Sequence, residues 1–147
     1  MGRHLVIARQ TAGSDELLEA VLRVAESDPD ASFVVLLPET PLRHLRMVSE
    51  GTAQALALEA AEEVRQRFVR AGVQVATVKV TDPNPVVAAE QELKASPYYA
   101  GIIVATFPPG LSRWLKLDVV SRLRRLSGLP VMHVIAGAGK APGRETA

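Results

Sequence analysis

The chain has 147 residues, of which 48% are hydrophobic but only 4% aromatic, so one domain with an aliphatic core of Val, Leu, Ile and Ala is expected. Charged residues make up 22% and the net charge is +1, which leaves no overall field to draw nucleic acid or a membrane surface. Cysteine is absent, which excludes disulfides, thiolate metal sites and Cys nucleophiles and fits a reducing cytoplasm.

Met1-Gly2-Arg3-His4 runs straight into an apolar stretch, with no leader-like apolar region, and no apolar run is long enough to cross a bilayer. The expected location is therefore the cytoplasm. His4 to Ala8 (HLVIA) reads as the first strand, and Arg9-Gln10-Thr11-Ala12-Gly13 as the loop after it. Ser14 is placed to cap a helix, with Asp15 and Glu16 in the first turn where the dipole favours acids. Leu17, Leu18, Val21, Leu22 and Ala25 recur at helical spacing, and the helix should stop before Asp28-Pro29.

Ser32 to Leu37 (SFVVLL) reads as the second strand, closed by Pro38, and Glu39 to Ser49 as an irregular loop. From about Thr52 to Ala71 the pattern is helical, with Leu56, Ala60, Val64 and Phe68 as one stripe. Ala53, Ala57 and Ala61 lie beside that stripe. Glu63 and Arg67 have the spacing of an exposed i,i+4 pair, and Gly72 that of a C-terminal cap.

Val73 to Val80 (VQVATVKV) reads as the third strand. Gln74, Thr77 and Lys79 make it the most polar strand and predict a sheet edge. Asp82-Pro83 reads as a cap followed by Pro at the first helical position, opening a helix with Val86, Val87, Ala89, Glu90 and Leu93. Ile102 to Ala105, between Gly101 and Pro108-Pro109-Gly110, reads as a fully buried fourth strand. The last helix is expected over about Trp114 to Leu126, with Leu115, Val119, Val120 and Leu123 inward and Gly128 ending it. Pro130 to Ile135 (PVMHVI) closes the series as the fifth strand.

Strands alternating with helices predict an α/β fold: a five-stranded parallel sheet with helices on both faces, a Rossmann-like three-layer sandwich. With the third strand at an edge, the order 3-2-1-4-5 follows. Residues 1–136 form the domain, and the Gly/Pro-rich tail 137–147 is expected to be disordered. The switch point then falls between strands one and four. It assigns the candidate anion or ligand site to Arg9, Gln10, Thr11, Thr106, Gly110, Leu111, Ser112 and Arg113.

The remaining residue types narrow the chemistry. Arg113 and Lys116 have two readings, an anion clasp or a solvated loop and helix start. Arg9 sits just after a buried strand, where it either meets an anion or pairs with a neighbouring carboxylate. Trp114 reads as cover for the core edge rather than a base-stacking platform. Arg122, Arg124 and Arg125 read as a solvated helix face. His4, His44 and His133 lack metal-ligand spacing, and Ser112 and Thr106 lack a nucleophile elbow. Gly137-Ala138-Gly139-Lys140 lacks the spacing and the following helix of a phosphate loop.

Asp82-Pro83, Gly101-Ile102-Ile103-Val104, Gly110-Leu111-Ser112, Val120-Ser121 and Leu129-Pro130-Val131-Met132-His133-Val134 together resemble the universal stress protein family, over about His4 to Ile135. The resemblance implies a homodimer and, in one branch, a bound adenine nucleotide such as ATP or AMP. It also marks departures. The acid of nucleotide-binding members after strand one is replaced by Arg9-Gln10-Thr11. Gly110 can match the first glycine of their Gly-x2-Gly-x9-Gly-Ser/Thr motif, Arg113 stands in place of the second, and the closing pair falls on Asp118-Val119 after a loop shorter than the motif's nine residues. A side chain where a glycine belongs keeps a phosphate off the backbone.

The sequence therefore reads as a binding or regulatory module of the universal stress protein type, not expected to be an enzyme. Its expected ligand is a phosphate or sulfate anion, or an adenine nucleotide held weakly. The alternatives are a nucleotide-binding protein with weak ATP hydrolysis and an interaction module without a ligand. The signatures of ATP pyrophosphatases and synthetases on related folds are absent. The expected partner is a second copy, through Val131, Met132, His133, Val134 and Ile135. That strand is an edge without the charges or interior Pro that discourage pairing. Neither a membrane nor nucleic acid is an expected partner.

Overall fold

The computed structural model describes residues 2–8, 10–38, 50–81, 84–96, 98–108, 114 and 118–137. The strands are β1 (Arg3–Ile7), β2 (Ser32–Pro38), β3 (Val75–Thr81), β4 (Gly101–Thr106) and β5 (Val131–Ile135). They form one sheet in the order β3-β2-β1-β4-β5, every pair parallel. The helices are α1 (Asp15–Ser27), α2 (Glu50–Arg70), α3 (Pro85–Ala95) and α4 (Val119–Ser127).

The inner strands are apolar on both faces because both faces are covered. One layer buries Val6, Phe33, Val35, Ile103 and Val134 beneath Leu17, Ala20 and Val21 of α1 and Ala61, Val64 and Phe68 of α2. The other layer buries Leu5, Ile7, Leu36, Ile102 and Val104 beneath Ala88 and Ala89 of α3 and Val119, Val120 and Leu123 of α4. Each fully buried Leu, Ile or Phe contributes roughly 1.5–3 kcal/mol from area removed from water. Two such layers therefore hold the sheet from both sides.

Local signals act largely where the sequence puts them. The Ser14 side chain accepts from the Leu17 N–H and caps α1, a contact of about 1 kcal/mol. Gly72 (φ 91°) and Gly128 (φ 67°) end α2 and α4 in left-handed conformations that a side chain resists.

Four local expectations are corrected. The cap of α3 is Asn84, whose side chain accepts from the Val86 and Val87 N–H groups, and Pro85 takes the first helical position. The Asx-Pro pattern occurs twice in Asp82-Pro83-Asn84-Pro85, and the second copy carries the turn; Asp82 and Pro83 lie outside the described residues. In α2, Val64 and Phe68 are buried as expected, but Ala61 from beside the stripe joins them in the core while Ala60 is exposed. Arg67 pairs across the helices with Asp15 at 2.6 Å rather than along its own helix with Glu63, because Asp15 in the first turn of α1 faces it. Finally, α4 begins at Val119, directly after Asp118, whose backbone is left-handed (φ 55°, ψ 42°); Trp114 is helical, and residues 115–117 lie outside the described residues. No helix among the described residues is long and apolar enough to cross a membrane.

Candidate functional site

The site follows from the connections of β1 and β4. These strands are neighbours, with His4 beside Gly101 and Ile7 beside Val104. The chain leaving β1 enters α1 on one face of the sheet, and the chain leaving β4 leads to α4 on the other. Two adjacent strands whose connections part to opposite faces leave a crevice at their carboxyl ends. β4 runs on through Ala105 and Thr106 past the last β1 pair and forms one wall.

On the β1 side, the Ala8 N–H bonds the Leu36 carbonyl, and residues Gln10–Gly13 turn through a 3-10 helix anchored by buried Ala12. Gln10 and Thr11 thus lie in the turn at the crevice; Arg9 lies outside the described residues. On the β4 side, Thr106 is 2% exposed and its carbonyl accepts from the Ala136 N–H. Its hydroxyl lies 2.7 Å from Nε2 of His133 on β5. Burial, then the nearby Arg124 guanidinium, hold the His133 imidazole below its ordinary pKa, so it is neutral at pH 7. Phe107 and Pro108 carry the chain out of the sheet. Gly110, Leu111, Ser112 and Arg113 lie outside the described residues.

Beyond that loop, Trp114 is buried in the cluster under α3 and α4 and covers the core edge, as its position predicts. Asp118 then precedes α4 in the left-handed region and makes no side-chain capping bond. The resemblance described above sets this residue against a glycine of nucleotide-binding members. The backbone keeps the conformation glycine favours while the side chain adds a carboxylate. Asp118 is exposed, and a negative charge on the residue that precedes a helix is favoured by the helix dipole and repels a second anion there.

This geometry can be set beside known structures. A universal stress protein in complex with cAMP superposes with a TM-score of 0.59 at 19% identity, over 92% of this chain and 98% of that one. A universal stress protein family protein from Arabidopsis thaliana with AMP bound gives 0.63 at 16% identity, over 96% of each chain. The fold is that of the universal stress proteins. A further member of that family, from Burkholderia pseudomallei, gives 0.53 at 16% identity over 90% of this chain and 96% of that one. No protein-family model and no curated protein matches the sequence. The universal stress protein fold therefore carries over nearly the whole chain.

One polar cluster was missed by sequence reasoning. Glu92 of α3 is 7% exposed. Its carboxylate accepts from the Tyr99 hydroxyl at 2.5 Å and from Lys79 Nζ at 2.7 Å. Arg3 stacks over the Tyr99 ring at 4.7 Å. Burial, then the Glu92 carboxylate, push the Tyr99 phenol above its ordinary pKa, so it stays a donor. The signal was present: Glu92 falls one turn after Ala88 and Ala89, on the buried side of α3. A separate groove of about 530 Å³ lies between α1 and α2, lined by Leu18, Glu62, Gln66, Arg67 and Arg70 among others. Among the described residues no group of His, Asp and Glu could hold a metal ion.

Proposed function

We infer that the chain is a cytoplasmic, homodimeric binding or regulatory module that accepts a small anion or the phosphate of an adenine nucleotide where β1 and β4 end. What supports this is the topology: the connections of β1 and β4 part to opposite faces of the sheet, with the 3-10 turn of Gln10–Gly13 beside β4. The AMP and cAMP held by the two structural neighbours favour the adenine class. The Asp118 carboxylate at the start of α4 works against tight ATP binding, because a polyphosphate brings more negative charge to the same place. The dimer reading is supported by β5. It is an edge strand whose Met132 side chain is 42% exposed, with no Lys or Glu along the strand.

Calorimetric titration with phosphate, AMP, cAMP and ATP tests the ligand. The expected result is saturable binding of phosphate or AMP, with ATP no tighter. Sub-micromolar ATP affinity overturns the weak-ATP reading. Absence of binding for all four overturns the anion site and leaves the interaction module. For the dimer, Met132→Lys should raise the dissociation constant without unfolding the monomer, since the side chain is outside the core. Light scattering that finds the unmutated chain monomeric at high micromolar concentration refutes it.

A further inference from the structure

We propose that His133 makes the β5 contact pH-dependent, so that two copies join while the imidazole is neutral and separate once it is protonated. The inference rests on the dimer reading above and adds its control. Two copies of Val131–Ile135 meeting antiparallel about a twofold axis overlap completely only when the axis passes through the central residue. That residue is His133. In this register Val131 faces the partner's Ile135, Met132 faces the partner's Val134, and His133 faces the partner's His133. Directly opposed residues of an antiparallel pair have Cβ atoms about 4.5–5.5 Å apart. The two imidazoles then stand on the same face of the continuous sheet.

Each ring is already held in place. His133 lies beside Val104 in the β4–β5 register, on the face that α4 covers. Its Nε2 meets the buried Thr106 hydroxyl at 2.7 Å, and either neutral tautomer satisfies that contact. From α4, Arg124 acts on the ring and also reaches the Val131 carbonyl at 3.5 Å. From β4, the facing groups Thr106 and Val104 carry no charge. α1 packs on the opposite face, against Val134, so its carboxylates are screened from the ring by the sheet. A proton on His133 therefore meets Arg124 and the partner's His133, both positive, with no acid among these groups to offset it. Like charges directly opposite destabilise a strand pair. Dimerisation also removes water that would solvate the cation. Burial and Arg124 already disfavour the charged ring in the single chain.

Sedimentation of the full chain at about pH 7.5 and about pH 5.5, with circular dichroism to follow the fold, tests this. The unmutated protein should be dimeric at the higher pH and a folded monomer at the lower, its dissociation constant rising about tenfold or more. His133→Gln, which keeps a hydrogen-bonding amide near Thr106 but cannot titrate, should lose that dependence. His133→Lys, permanently charged, should be a folded monomer at both values. A dimer of unchanged strength at both pH values overturns the role of His133 and leaves the dimer reading intact. Equal pH dependence in His133→Gln does the same. A monomer at both pH values overturns the dimer reading and the inference with it. Loss of the fold at the lower pH, in place of a folded monomer, overturns the inference alone.

Discussion

Removing the Tyr99 hydroxyl isolates the worth of the buried cluster around Glu92. Tyr99→Phe keeps the ring, its packing and the Arg3 stacking at 4.7 Å, and deletes only the donor to Glu92 Oε2. Both residues are at least nine-tenths buried, so water does not replace the donor. A hydrogen bond to a charged group contributes about 1.5–3 kcal/mol, and its buried acceptor is left unpaired when the donor goes. Lys79→Met removes the other partner. Lys79 is 46% exposed, so solvent reaches its side of the carboxylate and screens the pair. That loss should be about 1 kcal/mol or less. The expected order is therefore Tyr99→Phe well above Lys79→Met. At about 2–4 °C per kcal/mol for a chain of this size, the first should lower Tm by roughly 3–12 °C. Thermal and urea unfolding of both variants and the double variant measures the order and the coupling. A Lys79→Met loss equal to or larger than that of Tyr99→Phe would refute the reasoning, because exposure would then not be what separates the two contacts.

Two further outcomes are expected. His4 and His133 both sit below the ordinary imidazole pKa, chiefly through burial. The unfolded chain therefore binds more protons below pH 6.5, and this share of stability is lost as pH falls from 6.5 through the folded values. A His4→Gln, His133→Gln double variant should show a flatter urea midpoint between about pH 7 and about pH 5 than the unmutated chain; an unchanged slope contradicts it. At Asp118, Gly suits the left-handed backbone but forfeits the favourable charge at the start of α4, terms of about 1 kcal/mol each and opposite in sign. Asp118→Gly should thus leave stability within about 1 kcal/mol while tightening AMP and phosphate binding in calorimetry. Weaker binding would show that the carboxylate assists the ligand.

The fold was legible because its signals are long-range and redundant. Apolar runs such as Phe33–Leu37 and Ile102–Ala105 have no polar face and require cover on both sides, which already implies helices on both faces. The polar β3 fixed one edge and, with it, the strand order. What the sequence did not show depended on geometry between elements. Arg67 had Glu63 at ideal helical spacing, yet Asp15, distant in sequence, met it first. Glu92 looked like any helix carboxylate until α3 was laid on the sheet and Tyr99 was found beneath it. Thr106 and His133 are 27 positions apart and touch only because β4 and β5 are neighbours. The candidate loop residues Gly110 to Arg113 lie outside the described residues, and the part of the site that is described is its frame: the 3-10 turn, Thr106 and Asp118.

Asp118 bears most directly on what this frame selects. A left-handed residue ahead of a helix is a glycine position, and keeping another residue there costs on the order of 1 kcal/mol, less for Asp than for most. Asp118 immediately precedes α4, so its negative charge competes with a phosphate for the positive potential of that helix start. Any ligand phosphate must then either displace that side chain or bind from the β1 side, where the 3-10 turn stands. Displacement weakens binding in proportion to the ligand's charge, so it penalises ATP more than AMP and AMP more than a cyclic monoester. The rank order of affinities thus separates the two routes. Affinity falling with phosphate charge places the ligand against Asp118, whereas affinity indifferent to it places the ligand on the β1 side.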